Sequence, residues 1–338
     1  MKKQKKISVG IIGKNFGLKV LSKALKKTKR FKLKAISFKS KNFEKNLFKK
    51  SIYFSNWKDL IKNKDIEAII LATPPTMHQK IINFAIKHKK HIFCEKPCTT
   101  SAEKISKIIK KLKNMKIFIS HMVNYELIEI DSFKFFKNLI KKKKLKIKSI
   151  EIEWNILNKS NSKNWKNYHN MGGGLIFNYY CHVLYYIGSI FGKITSINCL
   201  TKFKIHKRND IIRASLKLKN KISCSIKINS PKFLNKNKLF HKLSILTDKG
   251  QFIIKSKTIN VSDRFSINRH YSLKSKNKKK KIYYDKSSSQ DFRILPSCNN
   301  LKKFADSIKR KKIISPNLNE AKNIHLLISK TIQSSKKK

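Results

Sequence analysis

Three stretches carry residues whose types and spacing could do chemistry. In FCEKPCTT (Phe93–Thr100), Lys96 stands between Glu95 and Pro97 directly after an apolar run. A lysine at the end of a buried strand can hydrogen-bond a hydroxyl and help its proton leave. The ordinary alternative is a solvated lysine, in a chain where Lys and Arg number 81 of 338 residues and Asp and Glu only 18. LATPPTMH (Leu71–His78) also follows an apolar run and ends on a histidine. The third stretch is Asn167–Gly192, which has no Lys, Arg, Asp or Glu at all yet keeps His169 and His182. A histidine titrates near neutral pH and can serve as a general acid or base. In so charged a chain, an uncharged stretch with a histidine inside it needs a reason.

A fourth stretch could hold a ligand. VGIIGKNFGLKVLSKAL sets Gly13, Asn15 and Gly17 between a strand pattern and a helix pattern. A dinucleotide fold needs a tight turn there, close backbone approach to the pyrophosphate, and a helix start aimed at it. Asn15 stands where the middle glycine of G-x-G would be; asparagine tolerates left-handed geometry, but its side chain occupies space. An ordinary strand-to-helix turn would look the same. The second strand ends at Ser37-Phe38-Lys39-Ser40-Lys41, and no acid follows before Glu44. An acid there would bind a ribose 2′-hydroxyl; Lys and Ser would instead receive a 2′-phosphate, which favours NADP over NAD.

These stretches need a scaffold, and the first 120 residues provide one. KISVGIIG, FKLKAISF, EAIILAT, KHIFCEKP and MKIFISHM read as short buried strands. Helical patterns lie between them: Ile105, Ile108, Ile109 and Leu112 recur at i, i+3, i+4 and i+7, behind Thr100 and Glu103 in capping-box spacing. Such alternation builds a parallel, doubly wound sheet, whose ligands bind beyond the carboxyl ends of the strands. After about Asn124 the pattern changes. Phe133, Phe136 and Ile140 mark a helix, and SIEIEWNIL, RASLKLK, KISCSIKIN and KLSILTDKGQFIIK alternate with period two around a turn at Asp248–Gly250. These predict a large, mostly antiparallel sheet. His270–Gln290 reads as an exposed loop around a short strand. Two helices close the chain, the last with Ala321, Ile324, Ile328 and Ile332 on one stripe. The expected fold is α/β: a Rossmann-type domain over 1–122 and an α/β domain over 123–338, with the last helix packing back on the first domain.

Composition narrows the classes. A chain of this length with 40% hydrophobic residues can bury a substantial core. The net charge of +63 suggests a polyanion partner. However, the positive charge is nearly all lysine and spread along the chain, without the arginines and interleaved aromatics of a dedicated nucleic-acid surface. No specific nucleic acid is therefore expected. Cys94, Cys98, Cys181, Cys199, Cys224 and Cys298 form no C-x-x-C pair and most sit in apolar surroundings, which suggests a reducing, cytoplasmic setting and no metal site. MKKQKKISVGIIG reads as a first strand and not a signal peptide. Asn167–Gly192 is long enough for a bilayer, but the Gly172–Gly174 run, Asn178, His182, Tyr179, Tyr180, Tyr185 and Tyr186 make it a poor span. No membrane association is expected.

Taken in order, Gly13-x-x-Phe16-Gly17, DIEAIILATPPTMHQKIINFAIKHKKHIFCEKP, and Trp165-Lys166 before GGGLIFNYYCH resemble the Gfo/Idh/MocA family, the glucose–fructose oxidoreductase and inositol dehydrogenase group of nicotinamide-dependent enzymes. The resemblance runs from residue 6 to about residue 200. It implies a Rossmann domain and an α/β domain whose open sheet often forms the oligomer interface, hence a homodimer or homotetramer. It also implies that Lys96 touches both nicotinamide ribose and substrate. The family's G-G-G-x-L-x-D-x-G-x-H segment falls on Gly172–His182, making His182 the usual general acid/base. Asn178 stands where the family has an acid, and Tyr180 where it has a glycine. On this reading Gly13, Asn15, Phe16 and Gly17 hold the pyrophosphate, and Ser37, Lys39 and Ser40 face the adenosine ribose. Thr73, Pro74, His78, Glu95 and Lys96 flank the nicotinamide half, with Trp165 and Lys166 approaching from the second domain. Lys96 and His182 carry the proton chemistry beside Asn178, and Tyr179, Tyr180 and Tyr185 are candidate substrate contacts.

The expected activity is hydride transfer between NADP or NAD and a carbinol carbon of a sugar, cyclitol or sugar derivative. The uncharged stretch would then be a glycine turn entering a helix packed on most sides. Two other readings remain open: a cofactor-binding regulator or scaffold without turnover, prompted by Asn15 and Asn178, and a polyanion-binding protein, prompted by the charge.

Overall fold

The computed structural model describes residues 5–39, 51–157, 164–201, 203, 211–230, 238–260, 262–271, 278–285 and 290–335. The chain divides into two compact units, Met1–Glu126 with Arg293–His325, and Leu127–Phe292 with Leu326–Lys338.

The first unit is built on six strands: β1 (Ile7–Ile12), β2 (Phe31–Ser37), β3 (Ile52–Phe54), β4 (Ala68–Leu71), β5 (His91–Glu95) and β6 (His121–Asn124). They are all parallel, in the order β3-β2-β1-β4-β5-β6. The order reverses direction between β1 and β4, and this is where a doubly wound sheet opens its ligand crevice. β4 and β6 are buried at every position. Helices cover both faces of such a sheet, so its strands read as apolar runs instead of alternations. The intervening helices are α1 (Ser22–Thr28), α2 (Trp57–Lys62), α3 (Pro75–Lys87) and α4 (Ala102–Lys113). A further helix, Ile294–Arg310, returns to this unit from far along the chain and buries Phe304 against Phe31 and Phe93, with ring centroids 6.2 and 5.6 Å apart. Burying a side chain of this size contributes about 1.5–3 kcal/mol.

Three local expectations shift. β3 is too short to have left a pattern. The strand read at Met115–Met122 begins only at His121: Ile117 is exposed and Phe118 packs on His91, because these residues climb from α4 back to the sheet. The cap of α4 is Ser101, whose hydroxyl accepts the Lys104 N–H at 3.3 Å, and not Thr100.

The second unit carries α5 (Asp131–Lys143), β7 (Ile147–Asn155), α6 (Cys181–Phe191), β8 (Ile194–Cys199), β9 (Ile211–Leu218), β10 (Ser223–Asn229), β11 (Phe240–Thr247), β12 (Gly250–Lys257), β13 (Ser266–Tyr271) and β14 (Lys278–Tyr284). The returning helix Ile294–Arg310 is α7, and α8 (Leu318–Ser334) closes the chain. The sheet order is β14-β13-β12-β11-β7-β10-β9-β8, antiparallel except for the β7–β10 pair. Strict alternation, as in the buried-exposed pattern of β9 and β10, leaves one face open and turns the other to the helices. On the covered face Phe133 of α5 and Tyr186 of α6 meet His241 and Phe265, while the His241 ring lies flat on Trp154 at 4.0 Å. The short strand expected within His270–Gln290 is the outer strand β14. Lysine-rich edge strands resist pairing with another chain.

A shortage of glycine shows at helix ends. Lys29, Lys144 and Lys311, the C-caps of α1, α5 and α7, all have positive φ. A side chain in that region costs roughly 1–2 kcal/mol. The lysine charge beside the helix C-terminus returns about 0.3–1 kcal/mol, so these caps remain slightly unfavourable.

Candidate active site

The crevice edge between β1 and β4 is shaped by glycine. Gly13 has φ +120°, and a Cβ there would strike the Ala72 carbonyl at the end of β4. Its N–H donates to the Ser37 carbonyl at 2.9 Å, which ties the end of β1 to the end of β2. A Cβ on Gly17 would stand 2.9 Å from the Ile11 side chain, so only glycine lets the first helical turn lie this close to β1. That turn, Gly17–Leu21, is π-helical before α1 begins; such widened turns often mark functional sites. Asn15 is exposed, Phe16 half-buried and Lys39 exposed. Ser37 is buried, with its carbonyl on Gly13. Ser40 lies outside the described residues.

Between the ends of β4 and β5 lies His78. Its Nε2 lies 2.8 Å from the Thr73 carbonyl, and its Nδ1 lies 3.2 and 3.1 Å from the carbonyls of Pro97 and Cys98. The ring is wholly buried, and burial pushes its pKa down to about 4, so it is neutral. His78 therefore has no surface to offer a ligand; its single N–H donates to a carbonyl of one loop while its ring packs against the other. Thr73 keeps a buried hydroxyl oxygen with no partner among the described residues. The glycine turn, the close approach at Gly17 and this orphaned hydroxyl together fit a dinucleotide along the crevice. Lys96 is half-buried at the end of β5.

Behind Lys96 lies a buried polar network that the sequence did not disclose. The Asn124 amide donates to Glu95 Oε1 at 2.7 Å and to Ser297 Oγ at 3.1 Å, and Asn300 donates to Asn124 at 2.9 Å. Burial, reinforced by the charge of Glu126, pushes the Glu95 carboxyl from 4.5 up to about 8, against the opposing pull of Asn124, Lys96 and Arg293. A raised carboxyl holds its proton in the folded state after the unfolded chain has lost its own. Stability therefore falls as pH rises from about 4.5 to about 8. The buried histidines, lowered toward 4, act only below their ordinary 6.5. Across about pH 6.5 to 8.5, Glu95→Gln should remove roughly 1–2 kcal/mol of this loss, so melting temperatures of variant and parent should diverge with rising pH. A constant gap would count against a protonated Glu95.

In the second unit the glycine run packs on the Trp165–Lys166 turn. A Cβ on Gly173 would strike the Trp165 carbonyl, while Gly172 and Gly174 have φ +80° and +69°. Asn178 fastens the same turn: its side-chain amide donates to the Lys166 carbonyl at 2.7 Å. A carboxylate could not make that bond, so at 178 this chain has a tie in place of a charge. Trp165 is half-buried and Lys166 exposed. Ile176–Tyr180 forms a second π-helical turn before α6, and His182, buried to 4% exposure, lies in the first turn of α6. The three tyrosines separate. Tyr180 is wholly buried with its hydroxyl 3.3 Å from Thr331, so it is core and not a pocket wall, contrary to the expectation. Tyr185 is also buried, and Tyr179 packs edge-on against Trp154. Among the described residues no cluster of three or more His, Cys, Asp or Glu could hold a metal, and no helix is long and apolar enough to cross a membrane.

Comparison with known proteins agrees with this architecture. Residues 7–122 match the oxidoreductase family's NAD-binding Rossmann fold, and residues 137–338 match its C-terminal alpha/beta domain. An uncharacterized oxidoreductase of Synechocystis is 23% identical over 277 residues, covering 76% of this chain and 73% of its own. Levoglucosan dehydrogenase in complex with NADH and levoglucosan superposes with a TM-score of 0.80 at 17% identity, covering 98% of both chains. KijD10, a 3-ketoreductase from Actinomadura kijaniata in complex with NADP and TDP-benzene, gives 0.78 at 13% identity and the same coverage. At these identities the structural likeness speaks for the fold, and the matches to both halves speak for descent: the chain belongs to the Gfo/Idh/MocA oxidoreductases, with an NAD(P)-binding Rossmann unit and a C-terminal α/β unit.

Proposed function

We propose that the protein transfers a hydride between NADP or NAD and a carbinol carbon of a sugar, cyclitol or sugar derivative. The observation that carries this reading is Lys96 at the carboxyl end of β5, beside a crevice edge that fits a dinucleotide. Gly13, Asn15, Phe16 and Gly17 would hold the pyrophosphate, and Ser37, Lys39 and Ser40 the adenosine ribose. Thr73, Pro74 and Lys96 would hold the nicotinamide side, with Glu95 and His78 acting through their neighbours. When bound, the nicotinamide ring supplies the hydride chemistry. Lys96 Nζ donates to the substrate hydroxyl and stabilises the negative charge left as its proton departs. His182 accepts that proton in oxidation and returns it in reduction. With Asn178 tied to Lys166, no carboxylate at that position raises the basicity of His182, which leaves more of the work of lowering the hydroxyl's proton affinity to the Lys96 charge.

The absence of any acid between Ser37 and Glu44 favours NADP. Sugar-like substrates are supported by relatives such as the levoglucosan dehydrogenase structures. Three serines and a glutamate stand in register across the second sheet, Ser215, Ser225, Glu151 and Ser244, and the open, alternating face of β9 and β10 suits a homodimer or homotetramer. Six free buried cysteines suit the cytoplasm.

The test is fluorescence titration with NADPH and NADH at about 0.2 M salt, which suppresses nonspecific anion binding, followed by turnover over a panel of sugars and cyclitols. Saturable binding with NADP(H)-dependent turnover is the expected result. Binding without turnover of any carbinol would favour a regulator or scaffold, and absence of binding would end the enzyme reading.

A further inference from the structure

Arg293 enters the first unit from the far end of the sequence. It is the residue just before α7, and its guanidinium carbon lies 5.1 Å from the centroid of the Phe16 ring. Phe16 belongs to the turn between β1 and α1, on one side of the crevice. On the other side stands Glu95 at the end of β5, close enough for the Arg293 charge to oppose its protonation. β4 lies between β1 and β5 in the sheet. The guanidinium thus lies against the turn that follows β1, with the end of β5 within range of its charge. Half-buried, with a ring under it, it is held in place at modest entropic cost.

The turn below it explains why an arginine is useful there. In a glycine-rich turn the pyrophosphate settles on backbone N–H groups because the middle residue has no side chain. Here that residue is Asn15, and its side chain keeps a phosphate further from the backbone. A planar guanidinium fork matches two phosphate oxygens and reaches outward where the backbone cannot. We infer that Arg293 is a cofactor-binding residue, held on Phe16 so that its fork grips the pyrophosphate of the dinucleotide and makes up for the missing middle glycine. The inference rests on the dinucleotide-binding reading above and adds to it a residue that lies outside the nucleotide-binding segment of the chain.

The experiment compares the parent protein with Arg293→Ala and Arg293→Lys in titrations with NADPH, NADH, ADP-ribose and AMP, alongside apo melting curves. ADP-ribose keeps the pyrophosphate and lacks nicotinamide; AMP lacks the diphosphate bridge. Loss of one charge-assisted contact predicts about 10- to 100-fold weaker binding of both dinucleotides and of ADP-ribose to Arg293→Ala. Arg293→Lys should fall between the two, and AMP affinity should change little. Phe16→Leu, which removes the ring, should reproduce part of the loss. Unchanged ADP-ribose affinity in a folded Arg293→Ala would overturn the inference. So would an equal loss for AMP, which would mean a general charge effect. A parent protein that binds no dinucleotide would instead sink the function proposed above. If Arg293→Ala fails to fold, Arg293→Lys decides, because it keeps the charge that opposes Glu95 and loses the fork.

Discussion

Replacing Lys96 with methionine is expected to lower turnover by about 10²- to 10⁴-fold, the range typical of a lost positioned proton donor. Methionine keeps most of the apolar stem, so the half-buried part of the side chain still packs, and the ammonium alone is removed. Dinucleotide affinity should stay within about tenfold of the parent value, because the glycine turn lies on β1 and remains intact. Two neighbours sharpen the expectation. The buried His78 ring packs between Thr73 and the Pro97–Cys98 backbone, so the loop should hold its course when Lys96 changes. Glu95 is protonated below about pH 8 and cannot substitute as a base near neutrality. Steady-state kinetics with any carbinol the parent oxidises would check this. A methionine variant with near-parental turnover would remove Lys96 from the chemistry and leave His182 as the proton carrier.

Gly13→Ala should be the most damaging single methyl group in the first unit. At φ +120° an L side chain is strained by about 1–3 kcal/mol, and the added Cβ meets backbone, the Ala72 carbonyl, which cannot rotate away. The turn must move as a body. Displacing a binding loop by an ångström can cost about 10²-fold, so dinucleotide affinity should fall at least that far, together with the melting temperature. Gly188→Ala is the matched control. It lies inside α6 with no atom within 4 Å of the new Cβ, and alanine in a helix interior gains roughly 0.5–1 kcal/mol over glycine. Opposite shifts in melting temperature are expected for the two variants. A tolerated Gly13→Ala would mean that the turn is not built around glycine.

Much of the site was legible because its signals are local. Glycines cluster at Gly13 and Gly17 and again at Gly172–Gly174 for geometric reasons that act within a few residues: positive φ, and backbones approaching where a Cβ would collide. The apolar runs of β1, β4 and β5 reflect burial on both faces, and the alternation of β9 and β10 reflects burial on one. Where local signals conflict with the pattern, the reading slipped. The apolar letters before β6 looked like strand, although the strand begins only at His121.

Other features have no local signal. Nothing near Asn124 announces that it joins Glu95 to Ser297, 173 positions away, or that Asn300 completes the set. Tyr180 looks like a pocket residue until its hydroxyl is found on Thr331, 151 positions on. Arg293 belongs to the crevice only because α7 returns to the first sheet. By itself, the sequence determined most of the strands and helices and the glycine turns, since periodicity and backbone strain act between near neighbours. Only the tertiary structure decided which polar groups are buried together, which tyrosine is core and which charge stands beside the crevice, because burial and pairing depend on partners that the chain brings together from far apart.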